Sequence, residues 1–342
     1  MPSSERIIGF STGAIAKGDY RRALGLLTKA GVSAVELSAL REGELPDLVG
    51  SLPGLDLSAF HYVSIHAPAH FGELEERKIV QLLEVPASLR LPIVVHPDTL
   101  QSTGLWRQFG PLLLIENMDK RKSFGRTAPE LNKWFEALPE AGLCFDVAHA
   151  RQVDPSMVES AAILRQFQDR LREVHASGVT TLSTHAAISA AAHSAYSSLA
   201  GLIPESVPII LESPVPEALI QSEIDFARSA FSPWLLRLQT DVDDVFDLKV
   251  PILRKTQARN FLEILRMIHA RLSDFETVVS QLPTGGSFAR GDLLFSARLL
   301  YDRLSEQDRD LLRRHLLRQV KKIALEFPDL KRDYPEQFAS VE

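Results

Sequence analysis

Short apolar runs alternate with longer amphipathic segments over the first two thirds of the chain. The runs are IIGF (7–10), AVEL (34–37), YVSI (62–65), PIVV (92–95), LLLI (112–115), LCF (143–145), REV (172–174) and PIIL (208–211). Most are rich in valine and isoleucine and too short for helices, which is how buried parallel strands read. REV is the weakest of them. Between the first two runs, GDYRRALGLLTKAGV places Asp19 where it can cap a helix. Leu24, Leu27 and Ala30 follow at helical spacing, and Gly31 stands at the stop. Eight strand–helix units in about 230 residues predict an α/β chain folded as a (β/α)8 TIM barrel. A doubly wound open sheet is the alternative, but no G-x-G-x-x-G follows the first strand.

Past Trp234 the pattern changes. RLQTDVDDVFDLKVP is a mixed, acidic connector. After it, Phe261, Leu265, Ile268 and Leu272 step at helical intervals, as do Leu312, Leu316, Val320, Ile323 and Phe327. LPTGGS (282–287) between them reads as a turn. The expected organisation is a barrel over 1–235 and a helical C-terminal extension over 236–342. The extension would pack on the barrel or join copies of the chain into a homo-oligomer.

Composition narrows the class. Of 342 residues, 45% are apolar and 24% charged, as in a globular protein. The single cysteine, Cys144, excludes an intramolecular disulfide and a cysteine-rich zinc module. The first ten residues show no signal-peptide pattern, and no long apolar run marks a membrane span, so a cytoplasmic location is expected. The net charge of −6, with no basic stripe, weighs against tight nucleic-acid binding.

The residues that follow the strands carry the chemistry. His66 follows YVSI, His96 follows PIVV, Glu116 follows LLLI, Asp146 follows LCF, His175 follows REV and Glu212 follows PIIL. In a (β/α)8 barrel these C-terminal strand ends converge on one face, where active sites sit. Imidazoles and carboxylates gathered there need a neutralising partner, and divalent cations supply one. This donor set suits zinc, manganese or iron. His185, in the long loop after strand seven, is a further ligand or substrate contact. His61, His70, His269 and His315 lack a strand-end position and read as structural or surface residues, and His193 as structural. Glu36 ends the second strand, where it can line the pocket and touch substrate, or pair with Arg41. Arg121, Lys122 and Arg126, in DKRKSFGRT, form a basic cluster that either grips a substrate phosphate or is a solvated loop.

These residues resemble the xylose isomerase-like TIM barrels, a superfamily of sugar isomerases and epimerases, inosose dehydratase-type lyases and endonuclease IV-type enzymes. GVSAVELS resembles the superfamily's second strand, and FDVAH its D-x-x-H element, which carries over to Asp146 and His149. The resemblance spans roughly residues 6 to 215 and implies a shared metal set of Glu116, Asp146, His175 and Glu212. IHAP, VHPD and IENMD, with His149 and His185, are similar to the endonuclease IV type, which implies between one and three ions held by His66, His96, Glu116, Asp146, His149, His175, His185 and Glu212. Ser183 stands where that type has an acid two residues before its last histidine.

The leading expectation is a metal-dependent isomerase or epimerase acting on a small sugar or sugar phosphate. Glu116 and Glu212 would exchange a proton beside the substrate carbonyl, while His149 bonds a substrate oxygen and Arg126 and Glu36 make further contacts. The runner-up is an endonuclease IV-like phosphodiester hydrolase, in which His66 and His96 hold a second ion bridged by Glu116. A multinuclear iron enzyme of oxidative chemistry is the third reading. One local expectation follows. Residues three apart on a strand face opposite sides, so strand six should stop near Val147. Ala148–Ala150 should then turn into a loop that brings His149 back over Asp146.

Overall fold

A computed structural model describes residues 6–39, 41–72, 75–231 and 304–309. Eight parallel strands close into a barrel: β1 (Ile8–Ser11), β2 (Ala34–Ser38), β3 (Tyr62–His66), β4 (Ile93–Val95), β5 (Leu113–Glu116), β6 (Gly142–Asp146), β7 (Leu171–Ala176) and β10 (Ile209–Leu211). A two-stranded hairpin, β8 (Gly178–Val179) and β9 (His185–Ala186), interrupts the last crossover. Each predicted run overlaps a barrel strand, and helices fill the crossovers, so the chain is a (β/α)8 barrel. The first crossover helix, Tyr20–Lys29, starts where Asp19 accepts the Arg22 N–H at 3.0 Å and buries Ala23, Leu24 and Leu27.

The pleat gives each strand two faces. Outward-facing Val35, Leu37, Ile65, Ile93, Val95, Ile115, Leu143, Phe145 and Val174 merge with helix residues such as Leu27, Leu83, Leu131 and Ile163 into one apolar core. The inward face differs. Its apolar content includes a small separate cluster of Val94, Leu114 and Cys144. Glu36, Ser38, Ser64, His66, Glu116, Asp146, Glu173 and His175, which alternate with the outward residues, are all buried. Bulky branched apolar side chains usually fill this space.

A register shift between β6 and β7 serves the inward face. Leu143 pairs with Leu171, but Cys144 pairs with Glu173, leaving exposed Arg172 as the extra residue. The insertion resets the alternation, so Glu173 and His175 both turn inward.

The expected loop after strand six is corrected. β6 stops at Asp146, and helix Val147–Val153 begins at once. Asp146 itself caps that helix, its Oδ1 accepting the His149 N–H at 2.7 Å. His149 therefore reaches Asp146 from the first helical turn.

The chain divides into two compact units, Met1–Phe231 and Ser232–Glu342. The acidic connector, the two helical periodicities, the turn at 282–287, His269, His315, the boundary at 235 and self-association through the extension all fall outside the described residues. No helix among the described residues is long and apolar enough to cross a membrane.

Candidate metal centre

The six strand-end residues meet at the C-terminal mouth, with Glu116 at their centre. Its Oε2 lies 3.1 Å from Nε2 of both His66 and His96. Its Oε1 lies 3.4 Å from His149 Nδ1 and 3.5 Å from His175 Nδ1. His175 Nδ1 is also 3.7 Å from Glu212 Oε1, and Asp146 Oδ2 is 3.4 Å from His149 Nδ1. Two donor sets result, each with its ligand atoms within 4.8 Å of one another: His66, His96 and Glu116, and Glu116, Asp146, His175 and Glu212.

The hydrogen bonds show what these sets want. His66 Nδ1 donates to the Ala67 carbonyl at 2.6 Å, which turns Nε2 toward Glu116. When that ring is neutral, a lone pair faces a carboxylate oxygen, and only a proton or a cation between them removes the repulsion. Asp146 Oδ2, His175 Nδ1 and Glu212 Oε2 are buried and have no hydrogen-bond partner. Such orphans cost stability unless something occupies the space between them. The residues present therefore fit a divalent cation: these three orphaned atoms belong to three of the four residues in that donor set, and they are nitrogen or carboxylate oxygen.

Electrostatics describe the same place. Burial pulls the His66 imidazole down, but Glu36 and Glu116 outweigh it and hold it at about 9. Burial likewise opposes His149, yet Asp146 and Glu116 raise it to about 10. His96 is lowered, because burial wins there. Burial would raise Glu116, but the surrounding histidines, His96 foremost, hold it well below the usual carboxylate range. Glu212 goes the other way: burial pushes its carboxyl up against the pull of His185 and His175. The carboxylates packed against His66 and His149 thus favour their protonated forms.

Other expected contacts are placed differently. Glu36 does not pair with Arg41, which binds Glu44 instead at 2.6 Å. It lies beneath His175, 3.1 Å from Nε2 and wholly buried. Arg126 is ion-paired with Glu130 at 3.1 Å, Arg121 with Asp119 at 2.6 Å, and Lys122 with Asp98. The basic cluster is thus largely neutralised by acids around it. His185 comes to the rim, 2.8 Å from Ser177 Oγ and 3.7 Å from Glu212 Oε2, with its ring 5.8 Å from that of His149. Among the described residues, no set of three close donors includes His149 or His185. Ser183 turns away to bond Gln152. His61 and His70 are exposed, and His193 packs on Phe226 and bonds Ser229, away from the cluster.

Three further residues shape the centre. Asn117 clamps β5 to β6, donating to the Asp146 carbonyl and accepting the Asp146 N–H, both at 2.8 Å. Glu173 holds His175 Nε2 at 2.8 Å and accepts from the Tyr62 hydroxyl at 2.5 Å. The alternation of an acid two residues before His175 was the available signal for Glu173, and the adjacent Arg172 obscured it.

The described residues thus form a closed parallel barrel whose strands end on a histidine–carboxylate cluster. No protein-family model matches the chain, and no curated protein does either. Among solved structures it is similar to endonuclease IV from Thermus thermophilus, at 21% identity over 68% of this chain and 99% of that one, with a TM-score of 0.44. It is also similar to a putative sugar phosphate isomerase/epimerase from Anabaena variabilis, at 15% identity over 65% and 88% of the two chains and a TM-score of 0.43. A third match, SacUVDE, has 15% identity, 64% and 85% coverage and a TM-score of 0.38. At these identities the likeness is one of fold.

Proposed function

We propose that this chain is a metal-dependent enzyme that hydrolyses a phosphoester in a small substrate. The observation that carries the reading is the position of Glu116, whose two oxygens face two different donor sets. His66 and His96 with Glu116 would hold one ion, and Glu116, Asp146, His175 and Glu212 the other. Divalent ions held there would supply Lewis acidity toward phosphoryl oxygens. Formal charge supports more than one ion, because Glu36, Glu116, Asp146, Glu173 and Glu212 crowd against His66, His96, His149 and His175. With neutral imidazoles, a single divalent ion leaves most of that negative charge uncompensated.

The chain's own residues then have distinct tasks. Glu116 fixes the spacing of the two positions. Asn117 and the helix cap fix Asp146. Glu212, partly open at the mouth, would complete the second position from the side on which substrate arrives. His149, whose Nδ1 is 3.0 Å from the Asn117 carbonyl oxygen, keeps its other nitrogen for a substrate oxygen.

An isomerase or epimerase acting on a sugar phosphate is the second reading. It is favoured by the four-donor set, which needs no second ion, and by Glu212 as a proton-exchanging carboxyl. Protein loaded separately with zinc, manganese and iron(II) and assayed on bis(4-nitrophenyl) phosphate and on aldose–ketose phosphate pairs separates them. Phosphoester turnover that disappears in Glu116→Gln supports hydrolysis. Sugar-phosphate interconversion without it supports the second reading, and oxygen consumption with iron alone supports oxidative chemistry.

A further inference from the structure

The mouth residues rest on a second polar layer that the proposed reaction does not use. Glu36 and Glu173 are both wholly buried, and both face the same nitrogen of His175: Glu173 Oε1 at 2.8 Å and Glu36 Oε2 at 3.1 Å. The two carboxylates compete for one N–H. Glu173 makes the hydrogen bond, while Glu36 Oε2 has no hydrogen-bond partner. Glu36 is steadied from elsewhere, its Oε1 accepting from Ser38 Oγ at 3.1 Å. The other oxygen of Glu173 accepts from Tyr62, which reaches across the barrel interior from β3. Tyr62 is itself held in a buried setting that pushes its hydroxyl well above its ordinary range, so it stays a donor.

We propose that Glu173, anchored by Tyr62, is a positioning residue that fixes His175 with its proton on Nε2 and its Nδ1 lone pair turned toward Glu116, Asp146 and Glu212. An imidazole that binds a cation through one nitrogen presents it best when the other nitrogen donates to a fixed acceptor. His175 Nδ1, buried and unpartnered, is the face so presented. The fold enforces the arrangement. The pleat puts Glu173 and His175 on one face, the β6–β7 register shift turns that face inward, and β3 supplies Tyr62 opposite. Ordinary barrel packing offers no reason to bury a carboxylate two residues below a histidine.

The inference rests on the proposed metal centre, and the experiment separates the two. Zinc affinity is measured by chelator competition on the full-length wild type, Glu173→Gln, Tyr62→Phe and the double variant Glu173→Leu/Tyr62→Phe, which leaves no orphaned hydroxyl. The His175 tautomer is read by NMR on 15N-histidine-labelled protein with and without zinc. The double variant should lose zinc affinity by about 10- to 100-fold while Glu173→Gln, which keeps an acceptor oxygen, retains most of it. The zinc-loaded wild type should carry its His175 proton on Nε2, and the double variant should lose that fixed signal. A folded double variant with wild-type affinity, or a zinc-loaded wild type with the proton on Nδ1, overturns the proposal. If the double variant does not fold, Tyr62→Phe decides: an affinity loss of about three-fold or more supports it, and none overturns it. A wild type that binds no zinc, manganese or iron defeats the metal centre itself. That outcome takes the positioning proposal down with it, whereas wild-type zinc affinity kept in the double variant overturns the positioning proposal alone.

Discussion

The outward and inward faces of the same eight strands are built on opposite principles. Cys144 and Phe145 are neighbours, yet Phe145 joins a continuous apolar core while Cys144 sits with two aliphatic residues among carboxylates and imidazoles. The outer face supplies the burial that closes the barrel. The inner face spends stability, because its groups are desolvated and several have no partner. The difference teaches that the barrel is held from outside, which frees its interior to carry charge that a cation can use.

The sharpest way to break this comparison is at residue 145. Phe145→Ala should cost about 3–5 kcal/mol of stability, read by chemical denaturation, with little change in metal affinity of the folded protein. A cost under about 1 kcal/mol would mean that the outer core is not what holds the barrel.

A second test uses pH on chelator-treated protein. His66 and His149 lie at about 9 and about 10 in the fold, above the ordinary imidazole value. A raised histidine stabilises fully below its unfolded value of about 6.5, and that contribution is lost as pH rises through the folded values. Glu212, also raised, acts in the same sense at lower pH. The unfolding free energy of metal-free protein, read by chemical denaturation, should therefore fall between about pH 6.5 and 10, by an amount on the order of a few kcal/mol. Metal affinity should rise over the neutral part of that range, because the same protons must leave. A stability independent of pH would contradict the placement of these histidines.

Smaller effects separate function from stability. Glu212→Gln removes a carboxylate whose charge the fold disfavours, so metal-free protein should melt no lower than wild type while binding its metal more weakly. A marked loss of stability would show that Glu212 is structural. Cys144→Ala should cost about 1 kcal/mol, the loss of one small buried group.

Much of this was legible in the sequence because the barrel ends each strand with a change of residue type. The jump from LLLI to Glu116 and from LCF to Asp146 marks both a strand end and a site. What stayed hidden depends on contacts distant in the chain. Arg172 and Glu173 look like two equivalent charges, yet a register shift exposes one and buries the other. DKRKSFGRT reads as a free basic cluster because Asp98 and Glu130, two of its partners, lie outside it. The helix starting at Val147 was missed because its cap, Asp146, reads first as a ligand, and it is placed to serve both roles.

The central claim is a metal centre whose two positions share Glu116. Metal content per chain, measured on protein purified without chelator, tests it most directly in wild type, Glu116→Gln and Asp146→Asn. About two ions of zinc, manganese or iron in wild type, with both positions depleted in Glu116→Gln and chiefly one in Asp146→Asn, is the predicted result. Metal content unchanged by both substitutions, or no metal in any of the three proteins, would contradict it.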